Sequence, residues 1–188
     1  MQRSAWFLLL VLMMALATAR ANDIDASASK ITVRVYKSGL FSAFAHDHTI
    51  SAPIASGQLD VEKRSVELKF RTENMQVLDP GAKDSERATI ESTMKSDKVL
   101  DIAKFPEISF SSTQVDNNST DHFLVHGSLA LHGVTKPIDL PVTFSDGRYH
   151  GSVKLRQTDF GITPIRIAGG SVKVKDEIEI EFEIVASK

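Results

Sequence analysis

Cysteine is absent from all 188 residues. That excludes disulfide staples, zinc–thiolate and iron–sulfur centres, a thiol nucleophile and a lipid-bearing cysteine at a processed N-terminus. An excess of positive charge is missing too: 22 Lys and Arg face 24 Asp and Glu, and the isoelectric point near 6.3 leaves no basic field for nucleic acid. No apolar run reaches the roughly 20 residues that a spanning helix needs. The longest is the thirteen residues 5–17, and the mean hydropathy is −0.09. Neither a Gly-x-Ser-x-Gly elbow nor a Gly-rich phosphate loop ahead of a helix occurs, so two common enzymatic signatures are lacking.

What is present begins with Arg3, the apolar run from Ala5 to Ala17, and Ala19 and Ala21 spaced as Ala-x-Ala. A charged start, a short apolar middle and a small-residue end form the pattern of a secretory signal peptide. The sequence therefore divides into a signal peptide at 1–21 and one domain at 22–188, with cleavage expected near Ala21. Removing 21 of 188 residues leaves 167, with 20 basic against 24 acidic side chains and a net charge of −4. A domain of that size can be held by its core and backbone ladders without disulfides. The bacterial periplasm is the expected location.

Period-two alternation runs through most of the remainder. From Val172 to Ile184 the even positions are apolar, apart from Asp176, and the odd ones are Lys or Glu. That is a strand with one dry and one charged face, with a bulge or bend expected at Asp176. Seven further segments alternate in the same way, around Ile31–Val35, Leu59–Val61, Val66–Phe70, Ile108–Phe110, Phe123–Leu131, Ile138–Phe144 and Val153–Leu155. Asp116-Asn117-Asn118, Leu131-His132-Gly133 and Ser145-Asp146-Gly147 read as tight connections between antiparallel neighbours. One helix is expected from Asp84 to Lys95, with Asp84 or Ser85 as its N-cap and Glu91 four residues before Lys95. A single helix cannot cover that many apolar strand faces, so they must bury one another in a sandwich or a barrel.

Three stretches resemble the YceI-like, polyisoprenoid-binding proteins of the bacterial periplasm. The strongest is Val125-His126-Gly127-Ser128-Leu129-Ala130-Leu131-His132-Gly133-Val134-Thr135-Lys136-Pro137-Ile138. The second joins Asp84-Ser85-Glu86-Arg87 and Met94-Lys95-Ser96-Asp97-Lys98-Val99-Leu100-Asp101 to Phe105-Pro106-Glu107-Ile108-Ser109-Phe110-Ser111-Ser112, with Phe105 where the family usually has Tyr. The third is Gln157-Thr158-Asp159-Phe160-Gly161-Ile162. The resemblance implies an all-β fold, an eight-stranded antiparallel lipocalin-like barrel with one α-helix. It also implies an isoprenoid or similar amphiphilic lipid held in the lumen, with no cofactor and no catalysis. A polyprenyl chain needs no directed hydrogen bonds, so aliphatic and aromatic side chains suffice to hold it. The lining residues expected on this basis are Phe70, Phe110, Phe123, Val125, Leu129, Leu140, Phe144 and Phe182.

The sequence departs from the family at Lys37-Ser38-Gly39, where His-x-Gly is common, and in the His46-Asp47-His48 cluster. In an extended segment His46 and His48 share a face about 7 Å apart, a spacing found in zinc and copper sites. A third ligand would have to come from elsewhere, so no metal site is assigned. The alternative is that Asp47 orients an imidazole at a polar barrel mouth. His122, His126 and His132 fall on the solvent parity of their strand. Arg156, Asp159 and Arg166 are candidates to pair and fix the Phe160-Gly161 loop. Two functional alternatives to a carrier remain: a His-based metalloprotein or metalloenzyme, and a packed barrel acting as a stress-associated interaction module. The oligomeric state is open.

Overall fold

Alternation of dry and wet side chains becomes a hydrogen-bonded ladder along most of the chain. The computed structural model describes residues 22–38, 47–167 and 172–187; the expected signal peptide, His46 and Gly169-Gly170 lie outside them. The strands are β1 (Asn22–Asp23), β2 (Lys30–Ser38), β3 (His48–Ser51), β4 (Ile54–Asp60), β5 (Ser65–Arg71), β6 (Gln76–Val77), β7 (Glu107–Asn117), β8 (His122–Leu131), β9 (Val134–Ser145), β10 (Arg148–Arg156), β11 (Arg166–Ile167) and β12 (Val172–Ile184). Among the described residues the one α-helix is α1 (Asp84–Lys95). The strands join in the order β1-β4-β5-β7-β8-β9-β10-β12-β2-β3-β6, with β11 beside β12.

The all-β class with one helix is as the sequence implies, but the count of eight strands is too low. Among the described residues twelve strands make one curled antiparallel sheet. The eight alternating segments are all there, as β2, β4, β5, β7, β8, β9, β10 and β12; the additions, β1, β3, β6 and β11, are two to four residues long. Among the described residues no ladder joins β6 to β1, so the sheet curls as a half-barrel, consistent with a lipocalin-like fold, without closing by hydrogen bonds.

Along β8, Val125, Gly127, Leu129 and Leu131 are buried and the residues between them are half-buried. The turns set this register. His132 and Gly133 have φ of 52° and 75°, and Asp146 and Gly147 have 51° and 73°. Both are two-residue turns with positive φ at each central residue, which matches the twist of the flanking strands. At Gly133 a Cβ would also stand 2.5 Å from the Phe105 ring. His132 is therefore not a simple surface residue: its ring lies 4.5 Å from that of Phe105, and its Nδ1 is 3.2 Å from the Phe160 carbonyl.

Asp176 does mark an irregularity, because the register of β12 against β2 shifts between Val174 and Ile178. The displaced carboxylate accepts hydrogen bonds from the Thr158 hydroxyl at 2.7 Å and the Thr158 amide at 2.9 Å. These bonds, the hydroxyl first, hold its pKa below the ordinary carboxylate value. They anchor a 3-10 turn at Gln157–Phe160, together with a bond from Gln157 Nε2 to the Lys175 carbonyl at 2.8 Å. The expected ion pairs do not form; among the described residues Arg156, Asp159 and Arg166 are not paired with one another, and Asp176 does the fixing.

The helix spans the expected residues, but its N-cap is Lys83, whose side chain makes no capping bond, and not Asp84 or Ser85. Its Glu91 serves two partners. One oxygen takes Lys95 Nζ at 2.8 Å and the other accepts the Val77 amide at 3.0 Å, which ties the helix to β6.

On the outer face of β7, β8 and β9, His126 Nδ1 is 2.7 Å from Asp139 Oδ1 and Nε2 is 3.2 Å from Asp116 Oδ2. A neutral imidazole has one N–H, so both contacts are hydrogen bonds only in the imidazolium form. The bonds to Asp139 and then Asp116 raise the His126 pKa above its ordinary 6.5. A histidine whose folded pKa is raised stabilises the fold fully below the unfolded value and loses that contribution as pH rises through the folded one. His126→Gln is therefore expected to lower the melting temperature most near pH 5 to 6, with the difference shrinking as pH passes above about 7. Thermal unfolding across that range checks it; a difference constant with pH would refute the clasp.

Gly127 faces inward, and a Cβ there would stand 2.4 Å from Phe110 Cζ and 2.7 Å from the Ser111 carbonyl oxygen. Phe110 is 4% exposed and has little room to retreat. Gly127→Ala is expected to destabilise by roughly 1–3 kcal/mol, whereas Ser128→Ala on the opposite parity should stay within about 0.5 kcal/mol. Urea unfolding of both variants reads the contrast.

Candidate functional site

The inward faces of the strands enclose a cavity of about 460 Å³. That lies within the usual range for ligand pockets, roughly 300–1,000 Å³. Six of its lining residues are polar in chemistry, Asp60, Arg64, Ser65, Asn117, Arg156 and Gln157, and the rest are aliphatic or aromatic. Native interiors are close-packed. A large apolar void framed by strands is thus the feature of this fold that calls for an occupant.

Seven of the eight expected lining residues border it: Phe70, Phe110, Phe123, Val125, Leu129, Leu140 and Phe182. Phe144 does not border it. It lies near the end of β9 opposite Tyr149, with the two rings 4.6 Å apart, and it is Tyr149 that borders the cavity. Strand parity told which way Phe144 points but not that its strand outruns the cavity.

Sequence reasoning missed the residues that seal one end. Met75, Met94, Leu100, Phe160 and Ile162 all border the cavity and none is more than 7% exposed. They come from a short loop, the helix, its connector and the 3-10 turn, where no alternation exists to reveal an inward side. The apolar pair around the Gly161 turn, Phe160 and Ile162, was the available signal. Gly161 has φ of 73°, which turns the chain so that both neighbours reach inward.

At the opposite end the polar lining gathers around the β4–β5 turn. Asp60 is 5% exposed; its Oδ1 accepts the Lys63 amide at 2.8 Å, and Lys63 Nζ is 3.0 Å from Oδ2. The Lys63 amide, followed by its ammonium group, holds the Asp60 pKa below the ordinary carboxylate value.

The histidine cluster is arranged differently from expectation. Asp47 accepts the Lys37 amide at 2.8 Å and does not orient His48. Asp79 does so: its Oδ2 is 2.6 Å from His48 Nδ1 and its Oδ1 accepts the Thr49 amide at 2.7 Å. Asp79 is 3% exposed, so the pair pins β3 to the loop before α1. Among the described residues no group of three metal-ligating side chains gathers. None of their helices is long and apolar enough to cross a membrane.

Comparison with known proteins places this architecture. Residues 23–186 match the sequence profile of the YceI-like domain. The UPF0312 protein of Pseudomonas savastanoi pv. phaseolicola is 35% identical over 105 residues, covering 50% of this chain and 53% of its own. That of Azotobacter vinelandii is 35% identical over 89 residues, covering 42% and 46%. In these alignments the chain spans about half the length of its relatives. Two solved structures share the fold: Burkholderia cenocepacia BcnA, with TM-score 0.63 and 18% identity over 87% of this chain and 99% of that one, and the Campylobacter jejuni YCEI protein, with TM-score 0.51 and 17% identity over 74% and 81%. With its curled antiparallel sheet and a profile match across almost the whole of 22–188, the chain belongs to the YceI-like family.

Proposed function

We propose that this protein is a periplasmic carrier that holds an isoprenoid or similar amphiphilic lipid in the lumen of its sheet, exported by a signal peptide at 1–21 and acting without catalysis. The observation that carries the reading is the cavity of about 460 Å³ with an almost wholly apolar lining. Burial of each methylene-sized group contributes about 0.8 kcal/mol, and a hydrocarbon tail has no polar atoms to leave unsatisfied. The lining therefore suits a tail better than a polar substrate, which would need convergent donors and acceptors. The aromatic rings of Phe70, Phe110, Phe123 and Phe182 stand among the aliphatic side chains that border the cavity.

Native mass spectrometry of protein purified gently from periplasm, with organic extraction and metal analysis of the same sample, tests this. A polypeptide starting at Asn22 with a stoichiometric lipid adduct is the expected result. Bare polypeptide carrying one equivalent of metal would overturn the carrier reading and direct attention to His48.

A further inference from the structure

The lumen is a tube with one covered end. At the other, Val61 in the β4–β5 turn borders the cavity and yet is 63% exposed. The wall beside that open end is not equally secured all round. The ladder between β5 and β7 ends where Glu67 pairs with Ser111. Beyond it the Ser112 hydroxyl accepts the Val66 amide at 2.8 Å, and from Thr113 to Asn117 the strand that β7 pairs with is β8 alone. Even that ladder is interrupted, by a register shift between Ser112 and Gln114. Val115 and Asn117 on this stretch border the cavity, and the stretch runs straight into the turn at 118–121. A strand end with one free edge and a broken register is a segment that opens locally before the rest of its sheet.

His126 stands across this stretch on the outer face. It is in register with Gln114 of β7 and Asp139 of β9, and the next row along the strands, Val115, Val125 and Leu140, lines the cavity. The groups facing the imidazole are Gln114 and Asp116 from β7 and Asp139 from β9. Its same-face neighbours on β8, Leu124 and Ser128, carry no charge. The charges that act on it are the two carboxylates.

We propose that His126 is a pH-sensitive latch on this wall: as imidazolium it ties the one-sided stretch of β7 to β8 and β9, and as neutral imidazole it releases β7 and quickens exchange of whatever the lumen holds. The latch stands on the strand geometry; the gating of exchange rests on the carrier reading. Each contact to a carboxylate needs an N–H, and the neutral ring has one. The contact to Asp139 is the shorter, 2.7 Å against 3.2 Å, so the remaining proton stays on Nδ1 and the bare Nε2 faces the Asp116 carboxylate, lone pair to anion. Asp116 keeps its bond from Gln114 Nε2 at 2.7 Å, which lies within β7 and ties it to no other strand. Release therefore comes as pH rises through the His126 pKa, which the two carboxylates hold above the ordinary 6.5.

Hydrogen exchange of the mature protein, read by mass spectrometry at about pH 5.5 and about pH 8.5, tests the latch without any ligand. With exchange times scaled to the intrinsic rate at each pH, protection of residues 113–121 is expected to fall about fivefold at the higher pH. His126→Gln should abolish that pH dependence. His122→Gln, which alters an exposed histidine of the same strand face, should keep it. Equal protection at both pH values in the unaltered protein, or the same fall in His126→Gln, would overturn the latch. Release of Nile red from loaded protein at the same two pH values reads the gating, and should quicken with pH in the unaltered protein and not in His126→Gln. Release that ignores pH while protection falls would overturn the gating. If the dye does not bind, the carrier reading fails and the gating with it, while hydrogen exchange still decides the latch.

Discussion

Apolar side chains on one face of every long strand must be kept from water, and the described residues supply one twelve-residue helix to help. Everything else in the architecture follows from that shortage. A flat sheet would leave its dry face open, so the sheet curls until that face looks at itself. Curling a sheet of this many strands leaves the dry faces too far apart for their side chains to meet everywhere. The lumen is the space that remains. Where rings do meet backbone, glycine makes the room: Gly127 accommodates Phe110, and Gly151 accommodates Phe182, whose Cζ would be 2.7 Å from a Cβ there. These close approaches fix the positions of two of the rings that border the cavity.

Curvature has to be reconciled with unbroken backbone pairing, and the irregularities are where that happens. Strand β9 pairs with β8 along its length but with β10 only at Thr143–Ser145. Pro137 and Pro141, which have no amide hydrogen to offer, fall in the stretch that leaves β10 unpaired. The hydrogen-bonded pairing of the two strands stops there, and the 3-10 turn at Gln157–Phe160 packs against β9, β10 and β12. Asp176 holds that turn from the other side. A sequence feature that looks like a flaw on a dry face is thus the anchor of the segment that brings Phe160, 2% exposed, into the core.

How much of this the sequence disclosed depends on length and periodicity. Strands such as β8 and β12 are long enough for parity to be unambiguous, and parity placed Val125, Leu129 and Phe182 on the cavity. Strand β3, His48-Thr49-Ile50-Ser51, has one buried residue and cannot announce itself by alternation; β1, β6 and β11 have two residues each. Depth along the tube is invisible to parity, which is why Phe144 was expected at a cavity that Tyr149 occupies. Pairings across long sequence separations were likewise hidden. Asp79 and His48 are 31 residues apart, and nothing local in either segment points to the other, whereas Asp47 was adjacent and misleading.

The difference between the two ends of the tube also has a topological cause. At the end beside the β4–β5 turn three connections between paired neighbours are hairpin turns: residues 61–64 between β4 and β5, 118–121 between β7 and β8, and 146–147 between β9 and β10. Turns of two to four residues have no chain to spare for crossing an opening. At the sealed end the connection from β5 to β7 carries β6, the helix and the Val99-Leu100 connector, and that from β10 to β12 carries the 3-10 turn. The tight turn at His132-Gly133 there is itself covered by Phe105. Long connections can fold back over the lumen and short ones cannot, so the order of loop lengths around the sheet decides which end is covered. A closed apolar floor and an open rim are what the proposed amphiphile requires: cover for an end without charge, and water for the other.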